Sequence, residues 1–428
     1  MYSKLIFVRK CNPVYEDFCK KYSTIRFYSE TIVALANDLK IPEIEIVYFD
    51  ETYASDNGKD KEIKAREWFE VAKERNNNPD YPIMRMYNSA KNKGIKLSVQ
   101  NISNEILDIE NSLMVLSFMT DTEKVLKNQF NNCLDSLIQK SRGFIYLSSD
   151  NEFSGFSYKK VGQIGCLEHL GEFGNKETLN KMRAIIMTES NRAGIVNILK
   201  DTFGVPVFYM PMIIDNDDIR FTEKIDLDYK KNKIAMLKNL TFFETYDNFF
   251  ESIRDHGVVW ESSMPPIQKK FKPICEKYGF EYKFARFWRM PEFESKLSNY
   301  KFFLGMSTTG SSRFTSKILE GTNANTYVIS PDLDLRRMGF TEEQYPKCIK
   351  TLDNSGIGEV YTPDFIDSEM CDKSLGAFCS GLLNIPDEKF VDRLIRQRKF
   401  ILNYFTLESE CVRECLNNII PYLEKVGE

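Results

Sequence analysis

Residues 306–330 combine a hydroxyl-rich stretch with a carboxylate in an apolar helical pattern. The second half of this segment, ILEGTNANTYVIS, places Glu320 directly after Ile318 and Leu319. A carboxylate is costly to bury without hydrogen-bond partners, and late in a helix it also opposes the helix dipole. Two hydroxyls of a bound ligand, such as a ribose diol, would satisfy both of its oxygens. The alternative interpretation is an ordinary surface glutamate.

The first half of the segment, MSTTGSSRFTSK, carries seven Ser or Thr hydroxyls. Gly310 permits close backbone approach, and the amide groups at a helix N-terminus attract anions, so a diphosphate would fit here. The segment matches neither GxxxxGK[ST] nor GxGxxG, so a helix that is merely capped by Ser or Thr is the alternative. Arg313 and Lys317 add positive charge to this hydroxyl-rich stretch.

Apolar runs that alternate with helical patterns predict an α/β fold with parallel sheets. KLIFVRK, a helical stretch and EIEIVYFDE form a βαβ opening, and the same alternation restarts after residue 231. We therefore predict two doubly wound, Rossmann-like domains facing a cleft, where ligands bind at the carboxyl ends of the strands. The further predicted strands are 112–119, 143–149, 182–188, 205–211, 233–237, 257–262, 282–288, 300–307 and 326–331.

The predicted domains follow from changes in composition along the chain. Residues 1–212 are predicted to form an N-terminal domain, and the charged segment 213–231 a linker. Residues 232–386 are predicted to form a C-terminal domain. Residues 387–428 are predicted to form a long helical tail, from about Asp387 to Glu424.

The composition disfavours several classes of protein. Ten cysteines without a Cys-x-x-Cys pair, together with two histidines, give no zinc pattern and argue against a hydrolase triad. A net charge of −4 lacks the basic excess of dedicated nucleic-acid binders, so contact with nucleic acid would need a local basic patch. Without an apolar run of ~20 residues or a signal peptide, we expect a monomeric cytoplasmic protein with no membrane partner.

The run ILEGTNANTYVIS resembles the donor-binding segment of GT-B glycosyltransferases, in which a helix with Leu-Glu is followed by small residues and a strand. The resemblance implies that Glu320 binds the ribose of a nucleotide-sugar and that the loop before it contacts the diphosphate through Thr308, Thr309, Gly310, Ser311 and Ser312. It also implies that residues 232–386 bind the nucleotide-sugar and that residues 1–212 lie on the acceptor side. Many of these enzymes have a second glutamate eight residues earlier, where this chain has Ser312.

A second match to the same family lies at the start of the C-terminal domain. GT-B enzymes often follow a strand with an Arg and, a few residues later, a Lys, both reaching the diphosphate. Lys238 fits the first position, but the second falls near Glu244, which has the wrong charge. Lys231, Lys233 or Arg313 are the alternatives for the missing charge.

Over much of its length, the chain more weakly resembles the DNA α-glucosyltransferases of T-even phages. Those enzymes modify hydroxymethylated cytosine with sugar from a UDP donor. The matching stretches are GFIYLSSDNEF, RAIIMTESNRAGIVNILK, KNLTFFETYDNFF and the Glu320 region. This mapping makes Asp150 the catalytic candidate, which would accept the acceptor's proton or stabilise an oxocarbenium-like transition state. The alternative is that Asp150 and Asn151 form an Asx turn.

Acceptor-binding residues are expected after predicted strands of the first domain and in the basic and aromatic cluster ARFWR (285–289). Such basic and aromatic residues suit contact with phosphates and stacking on bases, although a solvated surface would have the same composition. The candidates are Arg9, Lys10, Glu189, Asn191, Arg192, Arg286, Trp288 and Arg289.

The sequence thus favours a glycosyltransferase that moves a sugar from a UDP-sugar to hydroxymethylated pyrimidine in double-stranded phage DNA. One alternative keeps the fold and changes the acceptor to a glycan, a protein or a small molecule. The other is a non-enzymatic two-domain ligand-binding protein. The expected co-substrate is UDP-glucose or UDP-arabinose, with no permanently bound cofactor and no metal.

Overall fold

The computed structural model divides the chain into two compact units, Met1–Asp215 with Val412–Glu428, and Asn216–Cys411. Residues 215–224 of the predicted linker lie outside the described residues. The structure describes residues 2–9, 28–48, 82–101, 106, 108–116, 134–148, 180–187, 200–201, 204–211, 213–214, 225–237, 259–262, 281–284, 297–304, 316–329, 336, 340–354 and 381–427.

The first unit is built on a parallel sheet, which has seven strands in the part of the chain that the structure describes. Their order is β3-β2-β1-β4-β5-β6-β7. Continuous apolar runs such as that of β4 are typical of parallel strands buried on both faces. The strands are β1 Lys4–Arg9, β2 Glu43–Tyr48, β3 Lys96–Asn101, β4 Ser112–Leu116, β5 Gly143–Ser148, β6 Met182–Met187 and β7 Val207–Tyr209.

Two helices of the first unit, α1 Ser29–Asp38 and α2 Pro82–Asn92, pack against each other. The sequence pattern predicts α1 but neither α2 nor β3. Helix α2 buries Ile83, Met84 and Met86 within an otherwise polar segment, and β3 is an edge strand among those described, with polar residues between its apolar ones. Short apolar patterns of this kind give a weak signal in sequence.

The second unit contains five parallel strands among its described residues, in the order β10-β9-β8-β11-β12. Two parallel sheets in Rossmann-like strand orders confirm the predicted α/β class. The strands are β8 Lys231–Leu237, β9 Val259–Ser262, β10 Glu281–Phe284, β11 Tyr300–Leu304 and β12 Tyr327–Ile329. The helices that the structure describes after β11 are α3 Ser316–Asn323, α4 Pro346–Asn354, α5 Asp387–Phe405 and α6 Glu410–Gly427.

The residues predicted as a helical tail are mostly helical in the structure, where they form two separate helices, α5 and α6. Thr406 is extended, with φ −92° and ψ 152°, and its hydroxyl donates to the Leu402 carbonyl at 2.8 Å. A hydroxyl that bonds locally in this way competes with continued helical hydrogen bonding. Helix α6 packs in the first unit, where Arg413 pairs with Asp38 at 3.0 Å and the Tyr422 hydroxyl donates to the Arg183 carbonyl at 2.9 Å.

Candidate functional site

The candidate donor site follows two neighbouring strands of the second sheet. Strands β8 and β11 pair in parallel, with Met236 opposite Leu304, although β9 and β10 lie between them in the chain. The strand order therefore reverses between β8 and β11, and such a switch point is where open α/β sheets bind ligands. Lys238 follows β8 directly, and residues 305–315 follow β11 and lead into α3.

Helix α3 is fixed closely against this sheet. Ile318 and Leu319 are buried, and a Cβ added to Gly321 would lie 2.2 Å from Val328 Cγ2 and 3.3 Å from Phe303 Cδ1. Such distances leave no room for a side chain at residue 321. Glu320 is the fifth residue of this eight-residue helix, so its backbone position is set by buried neighbours on both sides.

The turn from α3 into β12 is also held by specific contacts. Asn325 adopts a left-handed conformation with φ 54°, and the Thr326 N–H donates to the Gly321 carbonyl at 2.8 Å. The Thr326 hydroxyl lies 2.9 Å from the Leu297 carbonyl and 3.1 Å from the Tyr300 carbonyl. Asn tolerates the left-handed region better than most residues, which explains its use at the end of this helix.

Lys231 and Lys233 do not fit the role of the missing positive charge, which corrects the suggestion made from the sequence. Both lie in the first half of β8, whereas the candidate site follows its carboxyl end. At about 3.3 Å per residue, Lys231 is about 20 Å from Leu237. Its ammonium group instead lies 5.7 Å from the centre of the Tyr300 ring. Arg313 remains the proposed source of the second charge.

Lys230 directly precedes β8 and places a half-buried side chain at the amino-terminal end of the second sheet. Its ammonium donates to the carbonyls of Ser298 at 2.6 Å and Tyr300 at 3.3 Å. Burial lowers the pKa of Lys230 to about 8, and the positive charge of Arg398 contributes to this lowering. This group lies at the edge of the sheet opposite to the candidate donor site.

The two strands that precede Asp150 and Glu189 in the chain, β5 and β6, end side by side in the first sheet. Ser148 at the end of β5 pairs with Met187 at the end of β6, and neighbouring strands are about 4.8 Å apart. Asp150 and Glu189 each follow one member of this pair by two residues. Arg9 ends β1, which is separated from β5 by β4.

Arg286, Trp288 and Arg289 follow β10, so in chain order they belong to the sheet that carries the candidate donor loops. β10 is separated from β8 by β9, which corresponds to about 10 Å between the two strands. The role of these residues at the acceptor stays a prediction.

Most predicted site residues lie outside the described part of the chain. Arg9 and Glu320 have described backbone positions in β1 and α3, and nothing further is described for their side chains. The predicted site residues outside the described residues are Lys10, Asp150, Glu189, Asn191, Arg192, Lys238, Arg286, Trp288, Arg289, Thr308, Thr309, Gly310, Ser311, Ser312 and Arg313.

Within the described ranges, no group of three His, Cys, Asp or Glu residues is arranged to hold a metal ion. No helix in that same part of the chain combines the length and apolar character needed to cross a membrane.

Gln397 on α5 is not among the residues predicted from the sequence. Its amide bonds to Thr322 and Val328, and therefore to both elements that flank the turn after α3. A signal was present, because Phe390, Leu394, Gln397, Ile401 and Tyr404 recur at helical spacing and Gln397 is the polar member of this otherwise apolar or aromatic series.

No protein-family model matches the chain, and no curated protein matches it in sequence. Among solved structures, the Anabaena protein HepE in complex with UDP is 9% identical, covers 99% of this chain and 100% of its own, and has a TM-score of 0.49. A DNA-modifying beta-glucosyltransferase, solved with and without uridine diphosphoglucose, is 12% identical and covers 93% of this chain and 98% of its own, with a TM-score of 0.41. A glycosyltransferase of avilamycin A biosynthesis is 12% identical and covers 74% of this chain and 84% of its own, with a TM-score of 0.35. Since these identities and TM-scores are low, the fold assignment rests on strand order and register.

Proposed function

We propose that this protein is a GT-B glycosyltransferase whose second unit binds a UDP-sugar. The observation that carries the proposal is the pairing of β8 with β11 at the switch point of the second sheet, with Met236 opposite Leu304. Lys238 and the hydroxyl-rich residues 305–315 follow these two strands in the chain. A ligand there would meet loop amides, a helix N-terminus and positive charge.

Each part of the donor has a proposed partner in this arrangement. The diphosphate binds the loop before α3, with Lys238 and Arg313 supplying positive charge. The ribose hydroxyls bind the Glu320 carboxylate, which can accept two hydrogen bonds. The tight packing of Gly321 against Val328 supports this role, because it holds the helix that carries Glu320 in one place.

The chemical step assigned to the first unit is transfer of the sugar to a hydroxyl group. The acceptor oxygen forms a bond to the anomeric carbon as the bond from that carbon to the diphosphate breaks, and UDP leaves. Asp150 takes the hydroxyl proton or stabilises the positive charge that develops on the sugar. The strands that precede Asp150 and Glu189 end side by side, with Ser148 paired to Met187, and this supports a shared site at the carboxyl edge of the first sheet.

The proposed acceptor is the hydroxymethyl group of a modified pyrimidine in phage DNA. The basis is the sequence resemblance to phage DNA glucosyltransferases, together with Arg9 at the end of β1 and with Lys10 and Arg192, which follow strands of the first sheet in the chain. These residues would contact backbone phosphates. A base must leave the duplex stack before an enzyme can act on it. A glycan, protein or small-molecule acceptor is the second candidate, and the net charge of −4 favours it.

The donor assignment is tested by calorimetric titration of UDP into the wild-type chain, Glu320→Ala and Glu343→Ala. Glu343 is an exposed residue of the second unit and serves as the control. We expect Glu320→Ala to weaken UDP binding at least about tenfold, since a charged hydrogen-bond partner is lost, and Glu343→Ala to bind as wild type. Equal UDP affinity of Glu320→Ala and wild type would refute the ribose assignment.

The acceptor assignment is tested by nucleoside mass spectrometry. Hydroxymethylated DNA and unmodified DNA are each incubated with the protein and either UDP-glucose or UDP-arabinose. We expect hydroxymethylated nucleosides to gain one hexosyl or pentosyl group, while unmodified DNA gains none. If neither donor changes the hydroxymethylated DNA although UDP binds, the acceptor is of another class.

A further inference from the structure

Gln397 is an amide buried inside the second unit. It lies on the buried side of α5, with 1% of its surface exposed, among Phe390, Leu394, Ile401 and Tyr404, each at 0% exposed. A polar side chain in such surroundings costs free energy unless it forms hydrogen bonds. The bonds that Gln397 makes are therefore expected to be specific and hard to replace.

The Gln397 amide bonds to the backbone of the last strand described in the second sheet. Its Nε2 donates to the Thr326 carbonyl at 3.0 Å, and its Oε1 accepts from the Val328 N–H at 2.8 Å. These two backbone groups are two residues apart and face the same amide. A neighbouring parallel strand would use such a pair of groups, so the side chain takes the place of a strand at the edge of β12.

The same amide also connects to α3. Nε2 of Gln397 donates to the Thr322 hydroxyl at 2.8 Å, and that hydroxyl donates to the Ile318 carbonyl at 2.6 Å. The second of these bonds spans one helical turn, from Ile318 to Thr322. Glu320 is the central residue of this turn. The next residue of α5, Arg398, donates to the Asn325 side-chain carbonyl in the connection that follows α3.

We propose that Gln397 is a positioning residue for the nucleotide-sugar site, an inference that rests on the proposed function. Apolar contacts such as those of Ile318 and Leu319 hold α3 on the sheet, but they are not directional. The bonds of Gln397 are directional and join β12 to the turn centred on Glu320. They fix the rotation and the height of α3 relative to the sheet, and thereby the position from which Glu320 meets the ribose.

The test compares Gln397→Met with Tyr404→Phe in the full-length chain. Both replace a buried polar group of α5, but the Tyr404 hydroxyl bonds to the Cys348 carbonyl on α4 and not to α3 or β12. UDP affinity is measured by titration calorimetry, and the melting temperature of each variant shows that the titration temperature lies below unfolding. We expect Gln397→Met to weaken UDP binding about tenfold and Tyr404→Phe to bind as wild type.

A double-mutant cycle separates positioning from loss of stability. If Gln397 acts through Glu320, Gln397→Met will weaken UDP binding further by less than twofold in a Glu320→Ala background. Thr322→Val gives a second route to the same answer if Gln397→Met does not fold, because it removes the hydroxyl on α3 with little change of volume. We expect it also to weaken UDP binding and to show the same coupling.

The outcomes distinguish this inference from the proposed function. If wild type does not bind UDP, or if Glu320→Ala binds it equally well, the proposed donor site is wrong and the inference fails with it. If wild type binds UDP and Glu320→Ala does not, but Gln397→Met and Thr322→Val bind as wild type, the donor site stands and Gln397 has no positioning role. Effects of Gln397→Met and Glu320→Ala that simply add would also overturn the inference.

Discussion

Gly321 of α3 and Val328 of β12 approach each other so closely that a Cβ at residue 321 would lie 2.2 Å from Val328 Cγ2. The backbone of α3 therefore lies directly on the sheet at the residue after Glu320. A glycine is needed here because of space and not because of a left-handed backbone conformation.

Gly321→Ala is expected to lower the free energy of unfolding of the second unit by about 1–3 kcal/mol, the usual cost of overpacking a core. It should also weaken UDP binding, since α3 must move away from the sheet. The measurements are urea unfolding and UDP titration.

Gly381→Ala is the matched control for this substitution. Gly381 lies in a helical turn of the same unit, and a Cβ there would meet nothing within 4 Å. This variant should be neutral or slightly more stable than wild type. Equal stabilities of the two variants would contradict the close packing of α3.

Lys4→Met is expected to destabilise the first unit by about 3 kcal/mol, because it leaves a carboxylate buried without its cation. Lys4 pairs with Glu45 at 3.0 Å, and both residues are less than 10% exposed. Burial alone would lower the pKa of Lys4, but the hydrogen bond and charge of Glu45, with those of Glu43, raise it overall. Urea unfolding, with hydrogen exchange of peptides from β1 and β2, measures the loss.

Lys96→Met is the control for Lys4→Met. Lys96 pairs with Glu43 at 3.4 Å, but its side chain is 71% exposed. Exposed ion pairs contribute about 0–1 kcal/mol, so this variant should be close to wild type. A loss as large as that of Lys4→Met would show that burial does not decide the strength of these pairs.

The sequence predicted the α/β class and most described strands because long apolar runs and helical spacing dominate their signal. It did not predict α2 and β3, because these elements contain few apolar residues and their positions depend on packing against neighbouring elements. It did not show where the helical tail divides into α5 and α6, because the residues around the extended Thr406 include no Gly or Pro.

The candidate donor site could be predicted from sequence as a set of residue types, but not as an arrangement. Glu320 and the hydroxyl-rich loop stand out because a carboxylate beside apolar residues is unusual. The neighbouring position of β8 and β11, and the location of Lys231 far from the end of β8, depend on strand order and register. Gln397 forms hydrogen bonds with residues about 70 positions earlier in the chain, and the helical spacing of apolar residues does not reveal such contacts.

Leu416→Ala is expected to destabilise the first unit by about 2–5 kcal/mol, the usual cost of removing a fully buried leucine side chain. Leu416 lies on α6 at 0% exposed, so the end of the chain contributes to the core of the unit that contains its beginning. Hydrogen exchange of peptides from β1 and β6 should become faster.

Leu402→Ala is the matched control for Leu416→Ala, because Leu402 on α5 is 42% exposed. Its effect should be within about 0.5 kcal/mol, as for most surface substitutions. If Leu416→Ala leaves exchange in β1 and β6 unchanged, α6 does not belong to the core of the first unit.

Lys230 should make the stability of the second unit depend on pH in the alkaline range. Its folded pKa is about 8 and its ordinary value is 10.5, so between these values the unfolded chain binds more protons than the folded one. The free energy of unfolding therefore rises with pH across this window, by about 2–3 kcal/mol.

Lys230→Met should remove this rise, while Lys231→Met, which changes the exposed neighbour, should keep it. Urea unfolding from pH 8 to pH 10.5, followed by tryptophan fluorescence, measures the difference, since Trp260 lies in β9 of this unit. Parallel pH profiles of wild type and Lys230→Met would show that the Lys230 ammonium is not held in a buried place.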